Sequence, residues 1–589
     1  MFLRQIKLWN FRKFGNLEWD LENPHLNLTF SNGLNVLIGE NDSGKSAILD
    51  AIKIVLKTHA YEWIKIEDKD FYNNSNKLRI ELLFSSLNNE EAKNFIEWLG
   101  WENDGEKDIP ILRLIYQVER RGKKILPSEV HAGMDEIGFS LNAEARDYLK
   151  STYLKALRDA DNELIAKKNS RLSQILQGHS LFKETDEAKH EFTVLFSEVN
   201  KKIKDWFENT TTPPGFKSNK EQIKDIIDSF LKEFIDDEIS SVLQLSDPEI
   251  KAILEKLSLV IDGATNLGLG TLNRLYMAAE LLHLKKEWDG LKLCLIEELE
   301  AHLHPQAQMK IVNALIKEKD VQFILTTHSP NLASKVPIEN LILCNKKGVF
   351  SLSKGNTKLG DKDYIFLKRF LDVTKSNLFF AKGVIIVEGW SEEILIPAIA
   401  QKFGYDLTKH EVSIVNVGST AYLHFAKIFL RTDSNKMTIP ISIITDLDVR
   451  PKGDGTFDER QVQNKEIKIK KSLDEPPESN VRLHIAKEWT LEWCLFKSSN
   501  VSEIFKQSVS KVHNKTKSFK NNDGIWDSNY EQALITKLTK SRGSLDKVAV
   551  ANELAELISS NNIDFKVVDP YLQYLIDAIE HTCRIENGN

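Results

Sequence analysis

The sequence has few cysteines and no useful spacing among them: Cys294, Cys344, Cys494 and Cys583 lie far apart in a chain of 589 residues. That excludes a disulfide framework and a cysteine zinc site, and predicts reduced, mostly packed thiols. No run of about 18 apolar residues is present, so no membrane span is expected. The opening MFLRQIKLWNFRKF lacks the apolar stretch and small-residue cleavage site of a leader, and a cytoplasmic location is expected. Positive charge is not in surplus either. The net charge is −7, so a polyanion must be held by local basic patches and not by the overall field. Internal repeats are absent, which excludes a solenoid. Glycine is nearly missing between residues 142 and 258.

What is there is the composition of a folded chain, with 41% hydrophobic and 28% charged residues, and a length that predicts two to four domains. The first thirty residues alternate as half-buried strands do, and LNVLI then leads through a glycine-bearing turn into the helix-like SAILDAIKIVL. Strands are predicted in LRIELLF and ILRLIYQVE. From Asn142 to about Ser258 the pattern is charged and helical in period, broken at TTTPPGF near Thr210, and reads as a helical insertion. Short apolar strands return in LKLCLIEE and VQFILTTH, as in a parallel sheet buried on both faces. A second strand–helix alternation (GVIIVEG, ILIPAIAQKFG, VSIVNVG, YLHFAKIFL, IPISIITDLD) predicts a second parallel-sheet domain, with a boundary between Asp361 and Lys382.

GENDSGKS, Gly39 to Ser46, fits the phosphate-loop pattern GxxxxGK[ST] between a strand and a helix. Gly39, Asn41, Ser43 and Gly44 belong to a loop whose amides point at phosphates. Lys45 is expected on the β and γ phosphates, Ser46 on magnesium, and the helix start adds its positive end. In LCLIEE, Glu297 is placed for the metal and Glu298 for the attacking water, although aspartate is usual at the first position. His328 in TTHSP ends the next strand, where it either orients the γ phosphate or makes a structural hydrogen bond. Gly268 and Gly270 precede a long helix and offer a second anion site, or an ordinary helix entry.

The order GENDSGKS, GLGTLN, LIEELEAHLHPQAQ and TTHSP resembles the ATPase of ABC type in SMC-like and RecF-like proteins. The resemblance implies ATP-driven pairing of two heads, the helix after Gly268 and Gly270 closing on nucleotide held by another copy. Leu303 and His304 then lie in the segment that crosses the interface. YLKALRDADNEL, from Tyr153 to Leu164, also resembles the region after the early strands in this group, and Gln117 is a weak candidate for its glutamine loop.

In VIIVEGWSEE, Glu388 ends a strand and Glu392 follows one helical turn later, able to face the same point. Asp446 and Asp448 in ITDLD end a later strand, and alternation by two sends both side chains to one face. Parallel sheets collect such strand ends at one edge. Four carboxylates together resist ionisation unless a cation joins them, and Mg2+ or Mn2+ suits hard oxygen ligands. A strand-end glutamate and a DxD pair resemble a Toprim domain. An ABC-type ATPase followed by Toprim resembles the OLD (overcoming lysogenization defect) family of ATP-dependent endonucleases over nearly the whole chain. By that resemblance, Glu492 in KEWTLEWCLF, near Thr490, is a further metal ligand and Lys547 in SRGSLDKVAVANELAELI is the catalytic lysine. Basic clusters at Lys465–Lys471, Lys511–Lys520 and around Arg542 either grip DNA backbone or are solvated faces.

The expected fold is α/β: an ABC-type head (residues 1–141 and 259–370) interrupted by an insertion (142–258) that serves dimerisation, then Toprim with a C-terminal helical region (371–589). The expected function is an ATP-regulated, two-metal DNA endonuclease in anti-phage defence. An ATP-switched sensor of nucleic acid or a partner, without cleavage, is the alternative. A topoisomerase is disfavoured because no tyrosine is clearly placed as nucleophile. ATP, Mg2+ or Mn2+, DNA, a homodimer or higher homo-oligomer, and a helicase or a retron reverse transcriptase with its DNA–RNA product are the implied cofactors and partners. No membrane is implied.

Overall fold

In the computed structural model, residues 1–16, 18–59, 64–103, 105, 107–156, 163–182, 189–208, 219–234, 241, 249–263, 268–286, 290–433, 435–473, 479–522, 525–541, 543–560 and 569–583 are described. The chain opens with strands β1 (Phe2–Trp9), β2 (Leu26–Thr29) and β3 (Leu34–Gly39), then helix α1 (Lys45–Leu56). Strands β4 (Lys77–Ser85) and β5 (Asp108–Arg121) follow, and then a short strand β6 (Thr152–Leu154). β3 is buried at every position, while β2 alternates buried and exposed residues. The difference tells the two sheets apart: β3 is covered on both faces and β2 on one.

Helices α2 (Arg171–Gly178), α3 (Glu191–Glu208) and α4 (Asn219–Phe234) come next. After them stand α5 (Leu269–Lys286), β7 (Leu293–Ile296), α6 (Pro305–Lys317), β8 (Gln322–Thr327), β9 (Leu341–Cys344) and β10 (Val349–Ser351). The order β6-β7-β8-β3-β9-β10 makes a six-stranded sheet, parallel except for the β9/β10 hairpin. An antiparallel sheet containing β2-β1-β4-β5 packs over α1. The expectation that residues 142–258 are wholly helical is corrected at β6, which pairs in parallel with β7 from Thr152↔Cys294 to Leu154↔Ile296. Three residues are too few to register as a period, so the strand was hidden in a helical context. The breaker at Thr210 lies outside the described residues.

The second half holds β11 (Gly383–Val387), α7 (Trp390–Lys402), β12 (Val412–Asn416), β13 (Ile441–Thr445), α8 (Glu459–Leu473) and β14 (Val481–Ile485). Helices α9 (Leu491–Lys497), α10 (Lys547–Ser560) and α11 (Gln573–Cys583) complete it. Its sheet runs β12-β11-β13-β14, parallel throughout, so the β11 and β13 ends meet at one edge. One face, with Ile385 and Val387, packs on a core shared with α7, α9, α10 and α11. The other, with Val384, Ile386, Ile441 and Ile443, joins a core that continues through Leu378 and Phe379 to Leu332, Phe323 and Val36 of the first half. The two halves therefore share apolar packing. Among the described residues no helix is long and apolar enough to cross a membrane.

One buried ion pair fastens the helical region to the head. Arg171 at the start of α2 donates to Glu280 of α5 through Nε (2.6 Å) and Nη2 (2.8 Å), and both side chains are buried. Removing one partner leaves a charge without compensation, which costs about 3–5 kcal/mol. Glu280→Ala is therefore expected to lower the melting temperature and to speed amide exchange across α5. Unchanged protection of α5 in the variant contradicts this role.

Candidate active site

The β3–α1 loop is shaped for close backbone approach. Gly39 adopts φ 135°, and a Cβ there would collide with the Cys344 carbonyl. Lys45 is buried, and its Nζ donates to the Gly39 carbonyl (2.9 Å), the Glu40 carbonyl (2.5 Å) and Ser43 Oγ (3.1 Å). Burial pushes its pKa down, opposed by Glu300, Glu298 and Glu40. Asn41 and Ser46 are exposed at the loop surface, Ser43 is fully buried, and Gly44 caps α1. The loop thus brings an ammonium, held by the loop's own carbonyls, to a helix start, an arrangement whose chemistry suits a phosphate.

Beyond β7, Glu297 accepts from the Tyr153 hydroxyl at 2.5 Å. Glu298 is exposed, with φ 43°, and its N–H donates to Thr326 Oγ1 at 3.0 Å. His328, beyond β8, is pushed below the usual histidine range by burial and by Lys45, so the ring is neutral at pH 7. Glu300 was not singled out from the sequence. Its Oε1 accepts from the His328 N–H at 2.5 Å, while Oε2 is buried with no hydrogen-bond partner. Its charge bears on both Lys45 and His328. The third acid of EELE is a signal only once the strand end is known to turn back toward the loop. Gly268 precedes α5 and Gly270 lies inside its first turn, where a Cβ would stand 2.6 Å from the His302 carbonyl. Leu303 is buried, and His304 caps α6. Gln117 lies within β5 and accepts from Arg79 at 3.1 Å. YLKALRDADNEL falls partly outside the described residues, as does Arg542 entirely.

At the other sheet, Glu392 and Glu492 are buried in the first turns of α7 and α9, and Asp446 follows β13. Asp446 Oδ1 accepts from the Leu491 N–H at 2.9 Å. Lys547, exposed at the start of α10, brings Nζ to 2.8 Å from Glu492 Oε2, an ion pair that is not aligned as a hydrogen bond. Burial, with Glu492 next, lifts Glu392 to about 7. Burial, then Glu492 and Glu392, holds Asp446 well above the usual carboxylate range. Glu388, just past β11, accepts from the Thr445 hydroxyl, and burial raises it, with Asp448 adding and Lys465 opposing. The sheet edge thus holds two linked groups: Glu392, Asp446 and Glu492 about Lys547, and Glu388 and Asp448 about Lys465, whose Nζ is 3.8 Å from Asp448.

The alternation reasoning for Asp446 and Asp448 is corrected. β13 ends at Thr445, and Asp448 has φ 56° with an exposed side chain, so the pleat does not set its direction. A turn aims it instead. Among the described residues no group of three or more histidine, cysteine, aspartate or glutamate side chains is arranged to hold a metal as it stands. The donor chemistry nevertheless fits a hard cation: three oxygen-bearing side chains crowd together, two of them resisting ionisation, with one lysine to offset them. Two tyrosines also stand near, Tyr422 by Glu388 and Tyr574 by Asp446. Burial raises both phenols, the opposite of what a nucleophilic tyrosine needs.

The geometry defines a class: a phosphate-loop ATPase head packed against a parallel sheet with a carboxylate cluster at its edge. The family model described as "AAA ATPase domain" matches residues 1–333, and the "Overcoming lysogenization defect protein-like, TOPRIM domain" matches residues 379–448. The chain belongs to the AAA ATPase-domain family, whose model spans more than half of it, and carries a Toprim domain of the overcoming-lysogenization-defect type; the ATPase domain implies nucleotide binding and the Toprim domain a divalent metal. It is similar to Endonuclease GajA of Bacillus cereus (strain VD045), 26% identical over 475 residues, 77% of this chain and 76% of that one. It is 26% identical over 199 residues to the OLD nuclease of Thermus scotoductus (strain ATCC 700910 / SA-01), covering 32% and 36% of the two chains. It is 35% identical over 116 residues to the Retron Ec83 probable ATPase of Escherichia coli, covering 20% and 19%.

Two outcomes are expected. Glu300→Ala frees the His328 backbone, and ATP turnover should fall roughly 10-fold or more with little change in nucleotide affinity; unaltered turnover removes Glu300 from the site. The second concerns pH. Glu392 and Asp446 hold protons in the folded, metal-free chain that they lose near pH 4 when unfolded, so the folded form binds more protons and stability falls as pH rises. In chelator-treated protein the melting temperature should drop from pH 5 toward pH 8, and a divalent cation should cancel that slope. A flat metal-free profile over this window counts against the clustered carboxylates.

Proposed function

We propose that this protein is an ATP-regulated DNA endonuclease that hydrolyses phosphodiester bonds at the carboxylate cluster, in defence against phage. The observation that carries the proposal is the packing of Glu392, Asp446 and Glu492 about a single ammonium, Lys547. Glu388, Glu392, Asp446, Asp448 and Glu492 would hold Mg2+ or Mn2+. Such ions, when bound, supply charge to the scissile phosphate and acidify an attacking water. Lys547, exposed at the cluster's mouth, then stabilises the negative charge gathered on the five-coordinate phosphorus. The water oxygen bonds to phosphorus, the bond to the leaving ester oxygen breaks, and that oxygen takes a proton. Lysines of α8 line the approach: Lys465 reaches Asp448, and Lys468 and Lys471 stand exposed on the same helix. They neutralise backbone phosphates without reading sequence.

In the head, Gly39, Asn41, Ser43, Gly44 and Lys45 cradle the ATP phosphates and Ser46 takes the metal. Glu297 supports that metal, while Glu298 orients the water and His328 the γ phosphate. Gly268 and Gly270 would face nucleotide on a second copy, so a homodimer or larger assembly is part of this reading, as is a cytoplasmic location. Exposed apolar residues on the insertion, including Val199 of α3 and Phe230 of α4, support a contact between copies there. Similarity to a retron ATPase supports a defence-system partner such as a reverse transcriptase with its DNA–RNA product, with a helicase as another candidate.

A second reading, an ATP-switched sensor that does not cut, is favoured by one observation: the carboxylates are offset by Lys547 and not arranged around a metal as they stand. Plasmid DNA decides. With Mg2+ or Mn2+ the protein should nick or break it, Asp446→Ala should abolish this, and Lys45→Ala should remove ATP turnover while sparing the metal site. Cleavage that persists in Asp446→Ala rejects the carboxylate cluster as the metal site, and no cleavage with either ion returns the sensor.

A further inference from the structure

A cavity of about 810 Å³ lies between the halves, at the edge of the second sheet opposite the carboxylates. Its walls come from Glu40, the β9–β10 turn at Asn345–Lys347, the approach to β13 at Lys436–Pro440, Arg482 of β14, and the end of α11. The carboxylates stand at the other ends of β11 and β13, about 17 Å away along five-residue strands. Six lysine and arginine side chains line this cavity against two acids, in a chain whose net charge is negative. Arg431 is taken up by Asp433, and Lys382 by Glu411 outside the cavity. Lys346, Lys436 and Arg482 have no acidic partner among the described residues. Arg482 Nε and His410 Nδ1 are shut off from water and hydrogen-bonded to nothing. With Nε–H unpaired and no carboxylate beside it, the Arg482 guanidinium keeps its charge uncompensated, and its remaining N–H groups favour an anion in the cavity that it lines. The volume falls in the range of small-molecule sites and is too confined for a duplex.

We infer that this cavity binds a nucleotide-sized phosphate anion, with Arg482, Lys436 and Lys346 as its phosphate ligands. The site is separate from the phosphate loop, which it touches only through Glu40, and it bridges head and Toprim sheet. An anion there ties the β9–β10 turn to β14 and so favours one arrangement of the two halves.

Counting bound nucleotide tests this independently of any cleavage. In equilibrium dialysis of the full chain with ADP and magnesium, two molecules should bind per chain. Lys45→Ala should bind one, Lys436→Glu/Arg482→Gln one, and the triple variant none. Should Arg482→Gln lower the melting temperature, the exposed pair Lys346→Glu/Lys436→Glu replaces it with the same expected count. Inorganic pyrophosphate should displace the second ADP. One ADP per chain in the parent, or cavity variants that keep two, overturns the inference. Displacement by a 12-nucleotide single strand but not by pyrophosphate also overturns it, marking a strand-binding groove.

Discussion

Glu392, Asp446 and Glu492 crowd more negative charge together than Lys547 can balance, and this constraint organises the edge of the second sheet. Two like charges about 4 Å apart repel by roughly 4 kcal/mol at the effective dielectric of a protein's outer layers. Glu392, Asp446 and Glu492 offset part of that cost locally. Both glutamates lie in the first turn of a helix, where the dipole favours an anion. Asp446 accepts a backbone N–H at the start of α9. Lys547 is the reverse case, a cation at a helix start, where the dipole disfavours it. Three carboxylates outweigh that penalty and hold it there. The remainder is met by protons, which is why Glu392 sits near neutrality.

The same edge is supported from beneath by packing that does not stop at the domain. Val384 and Ile386 of β11 belong to a core that includes Val36 and Ile38 of β3, the strand that delivers the phosphate loop. A shift of β3 is therefore felt by the strand that carries Glu388, because close-packed interiors transmit displacement and do not absorb it. Leu371, Leu378 and Phe379 fill the junction, so the connection between the halves is a packed element and not a tether. The phosphate loop and the carboxylate cluster thus stand at the ends of strands that share one apolar body.

How much of this was legible in the sequence follows from how local each signal is. GENDSGKS and VEGWSEE are each a strand, a turn and a helix start in ten residues or fewer, so composition alone places them on sheet edges. Thr152–Leu154 failed because a three-residue strand carries no period and its partner lies more than a hundred residues away. Asp448 failed for another reason: the strand it was assigned to stops at Thr445, and period-two reasoning ends with the pleat. Glu492 and Lys547 could be proposed only by resemblance, since their meeting depends on α9 and α10 converging across 55 residues. Glu300 was overlooked because its function comes from a turn that aims its carboxylate back at His328.

That turn also shows how one short segment serves two masters. EELEAHLHP supplies Glu297 to Tyr153 of β6, Glu298 to the open side of the loop and Glu300 to the His328 backbone. A few residues on, the His302 carbonyl lies against Gly270 of α5, so tightly that only glycine fits. α5 is in turn fixed to the helical insertion through Glu280 and Arg171. A close backbone contact at Gly270 and a buried ion pair at Glu280 thus tie α5 to the segment after β7 on one side and to the insertion on the other. Contacts therefore run without a break from Glu300 and His328 beside the phosphate loop, through the His302–Gly270 approach and α5, to Arg171 of the insertion.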